Sequence, residues 1–155
     1  MKKTMMLVFM LLCLCIPLTA SAATDINYLN GDQNFPLTGG HANFWEYTDL
    51  NSCTIAEETD EYYELAVGYV RRSRAEGTPY YVRYFRYYKD GVTRPEYYVE
   101  KTDKWIVLPL QDKETRDAYW KEHPAYQPFR AHFHPDQFHM LQVACRQLFG
   151  IELKG

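Results

Sequence analysis

Nine residues in the middle of the chain, Tyr80–Tyr88 (YYVRYFRYY), limit its folding options more than any other stretch. Aromatic and β-branched side chains at this density fit a pleated, half-buried surface. Asp90-Gly91 follows, a pair that readily takes the positive φ angles of a tight turn, and a second run, Glu96–Val99, returns. The expectation is a β-hairpin over residues 80–99.

Further strands are expected around it. Residues 44–50 (FWEYTDL) alternate, with Phe44, Glu46 and Thr48 on one face and Trp45, Tyr47 and Asp49 on the other; Asn51-Ser52 would end that strand. Residues 54–74 allow two readings. Thr54-Ile55-Ala56-Glu57 matches a helix capping box, and Ile55, Tyr62, Ala66 and Val70 fall at helical spacing. Against the helix, Gly68 in its interior would cost about 1 kcal/mol relative to alanine. Tyr63, Leu65, Val67 and Tyr69 alternate with Tyr62, Glu64, Ala66 and Gly68, so a strand over residues 62–72 is the better reading. Pro95 has no N–H for a ladder, which places its strand at an edge or starts it just afterwards. Residues 105–108 (WIVL) form a last short strand. The sum is an antiparallel meander of four or five strands. Residues 23–43, with Asn30-Gly31-Asp32, Pro36 and Gly39-Gly40, read as an irregular N-terminal arm.

Composition changes after Leu110. Residues 111–122 (QDKETRDAYWKE) are rich in helix formers and stop before His123-Pro124, with Tyr119-Trp120 to pin the helix to the sheet. Residues 123–133 read as an extended connection. The final helix carries the clearest signals: Pro135 and Asp136 at its start, a stripe of Phe138, Leu141, Cys145 and Leu148, and Gly150 at the C-terminal cap. This gives an α+β fold in a single domain, 23–155, with the last helix packed across the sheet.

The N-terminus carries its own message. Lys2-Lys3, an apolar run over residues 5–18 and the small residues Thr19-Ala20-Ser21-Ala22-Ala23 have the layout of a secretory signal peptide, with cleavage after Ala22 or Ala23. A membrane anchor needs about 18 consecutive apolar residues. This run is shorter and Pro17 interrupts it, and leucine before Cys13 and Cys15 argues against a lipid anchor. Losing residues 1–22 removes Lys2 and Lys3 but no acid, so the formal charge moves from −3 to −5. An exported acidic domain, periplasmic, cell-surface or secreted, is a poor match for nucleic acid, whose affinity comes from neutralised phosphates. Arg83 and Arg86 are read as cations on an outer sheet face. The mature chain keeps Cys53 and Cys145, either as one disulfide or as two separate buried thiols.

Trp45-x-Tyr47-x-Asp49-x-x-Ser52, followed by Tyr81-x-Arg83-x-Phe85-x-Tyr87, resembles a pattern in small exported bacterial proteins of the surface-adhesin protein E type, over residues 44–108. The resemblance implies a non-enzymatic domain of the cell envelope, in some relatives a host-protein adhesin. It assigns no adhesive residue, since the matching positions look structural. The histidine-rich segment and the long aromatic hairpin depart from the pattern.

Two kinds of site emerge. His132-x-His134-x-Asp136-x-x-His139 would set His132 and His134 on one side of an extended segment and Asp136 and His139 on the first turns of the helix. Imidazoles and a carboxylate suit zinc or copper, with His123 as a further ligand, although the spacing matches no established zinc motif. Catalytic motifs are missing: there is no G-x-S-x-G, H-E-x-x-H or P-loop, and Cys145 on an apolar stripe is expected to be inert. The other site is an aromatic platform. With 14 tyrosines, one face of the sheet offers rigid contact area with polar tips, suited to a protein or carbohydrate ligand. Tyr84, Arg86, Tyr88 and Tyr98 are its candidate residues. The leading expectation is therefore an exported, non-enzymatic binding domain without cofactor; the alternative is a periplasmic zinc- or copper-binding protein.

Overall fold

The computed structural model describes residues 26–41, 43–73, 78–108, 113–124 and 136–153. The expected signal peptide, His132, His134 and Pro135 lie outside them. Within them are β1 (Tyr28–Leu29), β2 (Asp32–His41), β3 (Phe44–Thr48), β4 (Thr54–Glu58), β5 (Tyr62–Ser73), β6 (Tyr80–Tyr88), β7 (Glu96–Val99), β8 (Lys104–Val107), α1 (Lys113–Glu122) and α2 (Asp136–Phe149). No helix among the described residues is long and apolar enough to cross a membrane.

The fold is α+β, an antiparallel sheet in the order β1-β2-β3-β5-β6-β7-β8 with α2 on one face. It has eight strands rather than four or five. The N-terminal arm is the main correction. Asn30 and Gly31, both at positive φ, turn the chain, and β2 pairs with β1 and β3. Ladder bonds come from the main chain, so β2 forms despite side chains of low strand propensity. Its Gly39 marks a close approach, because a Cβ there would overlap the Asp136 side chain. The residues of the apparent capping box form the exposed strand β4.

Strand β5 organises the sheet. It pairs with β6 without a break from Tyr62↔Tyr88 to Val70↔Tyr80. Along its other edge β3 and β4 lie end to end, facing residues 69–73 and 63–66 respectively. The corner between them is bridged by the residues of the Trp-Tyr-Asp-Ser pattern. The Asp49 N–H donates to the Gly68 carbonyl (2.9 Å), and the Gly68 N–H donates to Ser52 Oγ (2.9 Å). Ser52 Oγ in turn donates to the Asp49 carbonyl (2.8 Å). Tyr80 lies across Gly68 and donates to Asp49 Oδ2 (3.0 Å). A Cβ at residue 68 would overlap Tyr80 Oη and Ser52 Oγ, so any larger residue there must displace both side chains.

The alternation expected for β5 holds. Leu65, Val67 and Tyr69 face α2 together with Phe85, Tyr97, Val99 and Ile106, against Met140, Leu141, Ala144 and Cys145. Each fully buried Val, Leu or Phe contributes about 1.5–3 kcal/mol of transfer free energy. Tyr119 and Trp120 anchor α1 in this core, and Gly150, at φ +68°, ends α2. Cys53 and Cys145 are free, buried members of the same cluster rather than a disulfide. Burial first, then the Asp49 carboxylate, pushes Cys53 up to about 11. Burial first, then Cys53, pushes Cys145 up to about 12, which favours the protonated thiol.

Candidate functional site

A two-residue side-chain period puts Tyr84, Arg86 and Tyr88 on the face of β6 turned away from α2, and Tyr98 of β7 shares that face. The structure therefore brings the four platform residues onto one side, in two different states. Arg86 is held between rings, its guanidinium 3.9 Å from the centre of Trp105 and 4.7 Å from that of Tyr62, with Glu64 Oε2 at 3.5 Å. Tyr88 packs edge-on against Tyr62 (5.8 Å) and donates to Glu96 Oε2 (2.9 Å). Burial first, then that hydrogen bond and the carboxylate charge, pushes its phenol up to about 12. Tyr98 rests on Trp105 (5.3 Å) and donates to Asp103 Oδ1 (2.5 Å). All three are held by partners within the sheet and its turns.

Tyr84 belongs to the other state. It is 38% exposed, and its strand neighbours Tyr80, Tyr81 and Val82 are 51%, 37% and 51% exposed. The cause is the short hairpin. Among the described residues β6 and β7 pair at Phe85↔Tyr97 and Arg86↔Glu96, and residues 80–84 have a strand neighbour on the β5 side alone. Asp90 binds the N–H groups of Val92 and Thr93, which opens the expected tight turn into a longer loop. β7 then bends away through a 3₁₀ turn at Glu100–Thr102, with Asp103 at φ +53°.

A cavity of about 540 Å³ fills the opening between the two strands. Tyr69, Tyr81, Arg83 and Tyr84 line one side, residues 97–100 the other, and Gln137 of α2 completes the wall. Arg83 is thus on the opposite face from Arg86, not beside it on an outer surface. The three-residue spacing already required this, and the aromatic richness of the strand hid it. Arg83 lies over the Tyr69 ring (4.6 Å) and donates to its hydroxyl (3.0 Å). Behind it Glu46, buried, accepts two bonds from Arg71 (3.1 and 2.7 Å) through Oε1, while Oε2 stands 3.6 Å from Arg83 Nη1. Tyr69 stacks on Tyr81 (5.4 Å). Burial pushes the Tyr97 phenol up to about 12. The group as a whole offers aromatic walls, a strand edge and one cation more than it has buried anions. A second cavity, of about 410 Å³, lies under the loop at residues 91–95 and has no such edge.

Of the metal-site candidates, His139 is exposed on α2, and the Asp136 carboxylate accepts from the Gly40 N–H at 3.1 Å. His123 stacks on Tyr119 at 4.3 Å, with Nδ1 3.0 Å from the Tyr119 carbonyl. Among the described residues no three His, Cys, Asp or Glu side chains gather as a metal site. Compared with protein-family models, with curated proteins and with solved structures, the chain has no match.

Proposed function

We propose that this chain is exported, as a non-enzymatic binding domain of the cell envelope or the extracellular space, and that it contacts a protein or carbohydrate through its aromatic sheet face. One observation carries the reading. Exposed large apolar side chains are grouped at residues 80–84, on a strand whose outer edge has no strand neighbour among the described residues. Such an edge is a template for pairing that proteins ordinarily cover or charge. Tyrosine adds rigid contact area with little entropy to lose on binding. Tyr84 is the contact residue, with Tyr80, Tyr81 and Val82 beside it. Arg86, Tyr88 and Tyr98 support it from within the sheet. The signal-like N-terminus supplies the route out of the cell, and the resemblance to surface-adhesin protein E types points the same way.

The test is photocrosslinking in the exporting cell, with a benzophenone amino acid at residue 82 or 84 and a control at the exposed Lys101. Discrete adducts from residues 82 and 84 only are expected. Equal labelling from all three, or from none, would overturn the reading, as would an intact mass that still includes residues 1–22.

A further inference from the structure

We infer that the cavity between β6 and β7 captures the carboxyl-terminal end of an extended peptide, which adds to the free edge of β6 and sets its terminal carboxylate toward Arg83. This rests on the binding-domain reading and names its ligand class.

Three observations converge. The first is the edge. Along residues 80–84, alternate main-chain N–H and C=O groups point toward the side from which β7 has departed. An extended chain entering there meets the hydrogen-bond pattern of a strand, the basis of recognition by strand addition. The second is the charge. Arg71 and Arg83 together face the buried carboxylate of Glu46, and that carboxylate accepts its close bonds from Arg71. Arg83 donates one hydrogen bond, to Tyr69, and its Nη1 is buried with no hydrogen-bond partner among the described residues. A guanidinium has five donors and suits planar carboxylates, so it has capacity left for an anion. Glu100 lines the opposite side but is exposed, where water and salt screen its repulsion. The third is shape. The cavity volume falls within the range of ligand sites, and the stacked rings of Tyr69 and Tyr81 can hold the side chain of a terminal apolar or aromatic residue. A carboxylate at the end of a strand uses all three features at once, whereas an internal peptide segment would leave the cation unused.

The experiment presents the immobilised mature protein with random hexapeptides carrying a free carboxyl terminus, and with the same mixture amidated, and reads retention by mass spectrometry. Amidation removes the charge without touching the protein. At least tenfold higher retention of the acids, enriched in apolar or aromatic last residues, is expected. Arg83→Gln should abolish the preference; Arg83→Lys, which keeps the charge and loses the planar fork, should reduce it. Equal retention of acids and amides, lost in Val82→Asp, would overturn carboxylate capture and leave the binding edge standing. Retention of neither mixture would overturn the inference, while adducts from residues 82 and 84 in cells would still support the broader reading.

Discussion

The two halves of β6 share a composition and differ in almost everything else. Around Phe85 the strand has neighbours on both edges, α2 over one face, and an interlocked set of Arg86, Tyr62, Tyr88 and Trp105 on the other. At residues 80–84 one edge is open and the side chains reach solvent. Tyrosine is packed among partners in the first setting and exposed in the second. What separates them is the departure of β7 after two paired residues, not the local sequence. A strand rich in aromatics therefore says where a sheet is, and its neighbours decide which of its rings are exposed.

The contrast should be visible in stability. Phe85→Ala, at a fully buried position, should cost about 3–5 kcal/mol, read from the denaturant midpoint. A near-neutral result would mean that the closed half is not core.

Alkaline pH probes the same core. Cys53 and Cys145 have folded-state values raised above an ordinary 9, so the native state holds their protons more tightly than the unfolded chain. Their contribution is complete below pH 9 and is lost as pH rises through the folded values. By pH 10 the loss is about 1 kcal/mol for each thiol. Urea titrations at pH 8 and pH 10 measure it, and substituting both cysteines with alanine should reduce the difference, leaving the smaller part due to the raised phenols of Tyr88 and Tyr97.

Gly68→Ala should cost about 1–3 kcal/mol by forcing Tyr80 and Ser52 away from the corner. If Tyr80 simply swings outward, the cost will fall below that range and a fluorophore at Tyr80 will report the movement.

The smallest effects come from the pair that divides the halves most finely. Tyr88→Ala gives up the bond to Glu96 and the contact with Tyr62, about 1–2 kcal/mol. Tyr84→Ala should change stability by no more than about 0.5 kcal/mol. Equal losses at the two positions would erase the distinction and make Tyr84 a structural residue.

Much of this architecture could be read beforehand. The alternation of Tyr63, Leu65, Val67 and Tyr69, the apolar stripe and terminal Gly150 of α2, the core roles of Tyr119 and Trp120, and the start of β7 after Pro95 all express local rules that the fold obeys. What escaped depends on distant partners. β2 forms because its main chain finds β3, although its Gly39-Gly40 reads as a loop. Gly68, which counted against a helix, is explained only when Tyr80 and Ser52 are seen to converge on it from separate segments. For the site, the shared face of Tyr84, Arg86 and Tyr88 follows from side-chain period, and the β6–β7 register adds Tyr98 to it. Which of them is available to a partner did not, because exposure was set by the length of the β6–β7 ladder. Arg83 was legible by parity and was missed.

The most direct measurement is residue-resolved amide hydrogen exchange across β6 in the ligand-free mature protein. An open edge predicts slow exchange at both Phe85 and Arg86. It also predicts an alternating pattern over residues 80–84, with every second amide, those facing away from β5, exchanging orders of magnitude faster than its neighbours. Uniform protection from residue 80 to residue 86 would show that the edge is already covered, and would contradict the account.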